Sequence, residues 1–181
     1  DYIGYIQFAA SDGTDFNNSA ANIICQIDGT PGTDDTPGRL IFQTCADGTN
    51  SPSERLRITS DGQIGVNKSS PKAWNTSYTS LQIHDAGYIA GSTDDSFVAI
   101  GANNYLDTGG TYDYTNSDFA SQLYQVDGEL VFRNAASGTA DNAITWAERL
   151  RIDSAGNVGI GEDVPASRLH LANTGSGNVS M

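Results

Sequence analysis

The sequence predicts an all-β, repetitive chain of short strands and hairpins with little or no helix. Three observations carry this. First, residues 54–67 (E-R-L-R-I-T-S-D-G-Q-I-G-V-N) return as residues 148–161 (E-R-L-R-I-D-S-A-G-N-V-G-I-G), in the shared frame E-R-L-R-I-x-S-x-G-x-I/V-G-I/V without a gap. Second, in each copy the apolar residues fall at every other position: Leu56, Ile58, Ile64 and Val66, then Leu150, Ile152, Val158 and Ile160. A period of two places them on one face of a strand. Third, no segment has a convincing helical period, and residues 166–169 could form at most a turn.

Each copy reads as a hairpin. Gly62 and Gly156 stand where a tight turn can demand positive φ, and the arginine pairs Arg55/Arg57 and Arg149/Arg151 lie on the face opposite the apolar one. Upstream, residues 2–8 alternate loosely, residues 11–21 read as loop, and residues 22–28 as a strand. The stretch D-G-T-P-G-T-D-D-T-P-G at 28–38 is dense in turn residues, and its prolines cannot donate to a ladder. Residues 39–44 form the next strand. After the first hairpin come strands at 79–84, 89–91 and 96–103. Residues 105–118 form a long loop or loose hairpin, with Tyr105, Tyr112 and Tyr114. Segments 121–126 and 129–134 pair across Asp127-Gly128, a two-residue turn signature.

The repeat extends beyond the hairpins. G-R-L-I-F-Q at 38–43 matches G-E-L-V-F-R at 128–133, Pro71 matches Pro165, and L-Q-I at 81–83 matches L-H-L at 169–171. Insertions and deletions fall in loops while strands keep their frame, as in stacked structural repeats. The expected division is a first unit at 1–70, a second at 71–165 with the tyrosine-rich insertion, and the start of a further unit at 166–181. The chain opens on Asp1 and is expected to be a piece of a longer polypeptide.

Composition adds a constraint. Leu, Ile, Val and Phe together supply 36 of 181 residues, and the formal net charge is −13. Such a thin apolar complement borders on that of disordered chains, yet a solvated coil has no reason to keep a period of two. Small cores commonly need oligomerisation, so an obligate oligomer is expected, with the eight apolar hairpin residues meeting across chains. The acidity and the presence of only Lys68 and Lys72 as lysines argue against sequence-independent nucleic-acid binding. No run approaches the ~18 apolar residues of a membrane helix.

Chemistry is sparse. Neither D-G-T-D at 12–15 nor T-D-D-T at 33–36 has the spaced ligands and terminal Glu of a calcium loop. Cys25 and Cys45 read as free thiols, and His84 and His170 lack metal-ligand spacing. Of the four glutamates, Glu54 and Glu148 are repeat equivalents flanked by arginine, which suits salt bridges better than a glycosidase acid. No nucleophile elbow, phosphate loop or dinucleotide fingerprint is present. No catalytic residue, cofactor or metal is expected. Tyr105, Tyr112 and Tyr114 are candidates for receptor contact or, more simply, for packing over a neighbouring strand. Trp74 and Trp146 are expected to cap the ends of the core.

Several stretches together resemble the repeats of bacteriophage tail-fibre proteins: residues 28–42, A-D-G-T-N-S-P-S-E-R-L-R-I at 46–58, S-P-K-A-W-N-T-S-Y-T-S-L-Q-I at 70–83, residues 121–140 and residues 148–161. The resemblance covers most of the chain, and such modules also occur in bacterial proteins of prophage origin. It implies an elongated, homotrimeric β-fibre segment whose chains can intertwine, assembled in the host cytoplasm and located in the virion. Other virion tail proteins and a host cell-surface receptor, a glycan among the candidates, would be its partners. A polysaccharide depolymerase tailspike, another virion appendage and a bacterial surface adhesin are the alternatives.

Overall fold

The structure, a computed structural model, describes residues 2–93 and 95–172, and every regular element among them is a β-strand. Two compact units are present. One comprises residues 2–72 with Leu81–His84, and the other Ala73–Ser80 with the described residues from Asp85 onward. Of the further unit expected at 166–181, residues 173–181 lie outside the described residues.

In the first unit β1 (Tyr2–Ala10), β2 (Asn18–Ile27), β3 (Gly38–Thr44), β4 (Ser53–Ile58) and β5 (Ile64–Val66) pair antiparallel in chain order. The second half of β6 (Tyr78–Ile83) then pairs with β5 in parallel, Ile64 opposite Leu81 and Val66 opposite Ile83. The second unit repeats this plan. Its β7 (Gly87–Ser92), β8 (Val98–Ala102), β11 (Ala120–Val126), β12 (Glu129–Ala135), β13 (Ala147–Ile152) and β14 (Val158–Ile160) are antiparallel neighbours in that order. β15 (Leu169–Leu171) then joins β14 in parallel. The tyrosine-rich insertion is a small hairpin of β9 (Asn104–Leu106) and β10 (Tyr112–Tyr114).

The parallel step explains a glycine that the hairpin frame repeats. After β5 and after β14 the chain crosses back over its own strand. Gly65 and Gly159 are buried beneath that crossing. A Cβ on Gly65 would sit 2.4 Å from the Lys68 carbonyl oxygen, and one on Gly159 would sit 2.2 Å from that of Glu162. Opposite Gly65, Gln82 clamps the crossover by accepting from the Lys72 amide and donating to its carbonyl, both at 2.8 Å. Opposite Gly159, His170 accepts from the Ala166 amide at 3.3 Å. The repeat thus includes its crossover.

Turn chemistry follows the sequence closely. Gly62 and Gly156 both sit at φ 80°, and Asp127-Gly128 has φ 49° and 84°, a turn whose twist matches its strands. In the second hairpin Asp153 accepts from the amides of Asn157 and Ala155 at 2.8 and 2.9 Å. The Asn157 amide is the main reason its carboxyl pKa lies below the ordinary value. In the first hairpin the Thr59 hydroxyl accepts from the Gln63 amide at 3.0 Å, a weaker form of the same closure.

One expectation is corrected. A β-bulge follows Phe42 on β3 and Phe132 on β12, so Leu56 faces Phe42 while Glu54 faces Gln43, leaving Arg55 as the extra residue. Arg149 is its equivalent in the second copy. The bulge splits each arginine pair. Arg57 and Arg151 bind their glutamates, while Arg55 donates to Thr44 Oγ1 at 3.1 Å and Arg149 to Asn134 Oδ1 at 2.8 Å. Thr44 and Asn134 belong to the apolar side of β3 and β12, so the bulge arginines bond on that side.

Candidate functional site: two open apolar sheet faces

Cross-strand register turns the alternating residues into rows. In the first unit Ile6, Ile23, Phe42, Leu56, Val66 and Ile83 stand opposite one another across six strands. Beside them run Cys25, Leu40, Ile58, Ile64 and Leu81. In the second unit Ile100, Leu123, Phe132, Leu150, Ile160 and Leu171 form the matching row. Val98, Leu130, Ile152, Val158 and Leu169 lie in the row beside it.

Within the single chain these rows are not the core. None of the eight hairpin residues is buried, and Ile58 and Ile160 are 37% and 43% exposed. Ile100, Phe132 and Leu169 on the same rows are 55%, 40% and 53% exposed. Contiguous apolar surface of this kind marks an interaction face. The structure therefore places Leu56, Ile58, Ile64, Val66, Leu150, Ile152, Val158 and Ile160 on open faces, four per unit.

The opposite face of the second unit carries that unit's own packing. Behind the second unit's strands Val131 is wholly buried, and Trp74, Tyr88, Ala90, Ala99 and Leu106 form a core with Tyr78, Phe97, Tyr105, Tyr112 and Tyr124 around it. Trp74, expected at an end, is central: it is 2% exposed and lies edge-on to Tyr88 at 4.6 Å between ring centroids. Arg133 lies among aromatic rings, 4.6 Å from Tyr112, 4.8 Å from Tyr124 and 4.3 Å from Trp146. Its Nε donates to Gln122 at 2.6 Å, and burial lowers its pKa from the ordinary arginine value. Tyr88 donates to Asn104 Oδ1 at 2.6 Å and accepts from Gln122. Burial foremost, then Tyr112, raises its pKa.

The three insertion tyrosines occupy this covered side. Tyr114 is 6% exposed and donates to the Ala136 carbonyl at 2.6 Å. Tyr112 meets Trp146 edge-on at 6.0 Å, and burial raises its pKa. Tyr105 donates to Asp141 at 2.8 Å. Its pKa is raised by burial, then by that bond and the charges of Asp141, Asp113 and Asp107.

The glutamates are held in forked ion pairs. Arg57 Nε and Nη2 reach the two Glu54 oxygens at 2.9 and 2.8 Å, and Arg151 reaches those of Glu148 at 2.8 Å each. Arg151 also pairs with Glu129, and its pKa rises above the ordinary value, chiefly through Glu148. A carboxylate with both oxygens engaged is poorly placed to protonate a leaving group. Cys25 and Cys45 are free thiols. No group of three or more metal-ligating side chains gathers among the described residues.

No protein-family model matches the chain, and no curated protein matches it. Solved structures do. The carboxy-terminal domain of the bacteriophage T5 L-shaped tail fibre aligns with a TM-score of 0.51 at 15% identity, over 100% of this chain and 85% of that one. The chain has the fold of a tail-fibre domain. A second structure, of that domain with its intramolecular chaperone domain, aligns with a TM-score of 0.51 at 13% identity. This chain covers 59% of it. Identity this low speaks to the fold alone.

Proposed function

We propose that this chain is a structural segment of a phage tail fibre, built as a homotrimer whose apolar rows meet across chains. Its place is the virion, after assembly in the host cytoplasm, among other tail proteins. There it holds the apparatus that contacts the host receptor during adsorption. The observation that carries the reading is the pair of matching open apolar rows, one in each unit, on a fold shared with a tail-fibre domain. A stable monomer would gain by covering such rows with its own loops, as the second unit does on its other face. Tyr105, Tyr112 and Tyr114 are engaged in that covering, so contact with a receptor is better sought elsewhere on the chain.

Sedimentation velocity tests the assembly. A species of about three times the 19.1 kDa chain mass is expected. Ile152→Asp sets a carboxylate in the row between Leu130 and Val158. It should abolish the trimer, because burying an unpaired charge costs several kcal/mol per chain. A wild-type chain that stays monomeric and stable, or an Ile152→Asp chain that still trimerises with unchanged melting, would overturn the proposal.

A further inference from the structure

The first unit has no aromatic layer of its own behind the sheet, and what stands there instead is a cleft of about 380 Å³ lined by Tyr2, Tyr5, Asn22, Ile24 and Gln43. The sequence alone would place Tyr2 and Tyr5 on opposite faces, being three apart. A bulge between Tyr2 and Gly4 sets Tyr2 opposite Gln26 and Tyr5 opposite Ile24, on one face. Both rings are open to solvent, 69% and 50% exposed, above a floor of Ile24 at 3% and Asn22 at 6%.

The polar groups of the cleft have a direction. Tyr5 Oη and Ser19 Oγ both donate to Asn22 Oδ1, at 2.8 and 2.6 Å, and Asn22 Nδ2 donates to Gln43 Oε1 at 3.0 Å. The side-chain amide oxygens are thereby occupied. The Gln43 amide nitrogen is left with no partner among the described residues, its two N–H donors unused. No lining side chain is charged, and the nearby Glu54 is neutralised by Arg57.

The second unit indicates what such a platform takes. Asn22 opposite Gln43 corresponds to Gln122 opposite Arg133, each pair spanning two adjacent inner strands of its unit, β2 with β3 and β11 with β12. Over Arg133 the chain lays its own flat rings, Tyr112 and Trp146. In the first unit the equivalent platform is uncovered, and it adds two exposed phenol rings and the Gln43 amide among the cleft's lining.

We infer that this cleft binds a neutral hexopyranose, whose apolar C–H face stacks on Tyr5 and Tyr2 while its ring hydroxyls accept from the Gln43 amide. The cleft itself does not depend on the assembly reading, but its use in adsorption rests on that reading. The probes are the methyl glycosides of glucose, galactose, mannose and N-acetylglucosamine, tested at millimolar concentration by saturation-transfer difference NMR on the wild-type chain. At least one should give ring-proton signals. Tyr5→Ala and Gln43→Glu should each weaken its binding about tenfold, the weight of one anchor; Gln43→Glu removes the donors but keeps the acceptor for Asn22 Nδ2, so its thermal melting should be retained. Phe16→Ala, in an exposed loop away from the cleft, should leave the signal unchanged.

Absence of signal from all four sugars overturns the inference, as does a signal that survives both substitutions. Hydroxyl-radical footprinting that finds Tyr2 and Tyr5 protected in the assembled protein also overturns it, because a second copy then fills the cleft. Sedimentation of the same sample separates the two proposals. A trimer without sugar signals sinks the cleft alone, and a monomer with them sinks the assembly alone.

Discussion

Gly159→Ala is the sharpest test of the crossover. Gly159 lies in β14 with φ outside the left-handed range, so backbone conformation alone would tolerate alanine. Where space allows, such a change stabilises by ~0.4–1 kcal/mol by restricting the unfolded chain. Space does not allow it here. The new Cβ would meet the Glu162 carbonyl oxygen at 2.2 Å and its carbon at 3.2 Å, where real contacts essentially never fall below 3.0 Å. The obstacle is backbone and cannot swing aside. Overpacking costs ~1–3 kcal/mol. If the crossover lifts, it also loosens β15, which is tied by Val158 N to Arg168 O and by Ala172 N to Ile160 O, each 3.0 Å. Those bonds are worth about 1 kcal/mol each. The net loss should be about 2–4 kcal/mol, lowering Tm by roughly 5–15 °C for a chain of this length. Calorimetry at matched protein concentration measures it, because any assembly would make Tm concentration-dependent. Hydrogen exchange should accelerate at the Ala172 and Val158 amides. Gly32→Ala, whose nearest neighbour would be 3.7 Å away, should be neutral or mildly stabilising. A Gly159→Ala protein that melts at or above wild type would refute the account of the repeated glycine.

Two further outcomes follow from the covered face and the turns. Burial pushes the Asp28 carboxyl up, but the Ser60 amide at 2.9 Å and the Arg39 guanidinium at 2.9 Å outweigh it and leave its pKa below the ordinary 3.8. A depressed folded pKa gives stability that is present above the unfolded value and lost as pH falls through the folded one. The urea midpoint of Asp28→Asn should therefore trail wild type near neutral pH and converge with it below about pH 4; a gap that persists in acid counts against the assignment. Arg133→Lys keeps the charge but loses the plane that Tyr112 and Trp146 flank, and should cost about 2 kcal/mol with a red shift in tryptophan emission. Unchanged melting would show that the rings need only a cation.

Much of the fold is legible because the side-chain period of a strand is visible in the letters. The rows through Leu56 and Leu150, the Asp127-Gly128 turn and the correspondence of the two units can all be read without coordinates. The direction of the final strand of each plan cannot, since alternation is the same for parallel and antiparallel partners. The clue was present as a glycine six residues before a proline, Gly65 with Pro71 and Gly159 with Pro165. A strand glycine alone does not say what crosses above it. The bulges escaped for a related reason. Arg55 has no residue opposite it on β3, and nothing within E-R-L-R-I marks one arginine as extra. The central position of Trp74 is not legible in the letters, because its partners Tyr88 and Leu106 come from strands with no common motif. The candidate face was legible as a face, but whether loops of the same chain cover it is a tertiary fact.

That last distinction gives the repeat its physical meaning. An alternating strand must cover at least one face, and the second unit covers the one that looks polar, with tryptophan, tyrosine and a ring-flanked arginine. The aliphatic residues are thereby left for another surface. Because side chains alternate with a period of two, a one-residue slip of any strand would send its members of the row to the covered side and bring polar ones forward. The forked pairs Arg57–Glu54 and Arg151–Glu148 resist such a slip, since each links a bulge-flanking glutamate to the arginine three residues on and fixes the local twist. The bulge arginines Arg55 and Arg149 then mark the end of each row on the open side, where a partner misplaced along the strands would have to cover a guanidinium. The ion pairs and bulges of E-R-L-R-I therefore hold the aliphatic rows in register, and they recur with the rows in both units.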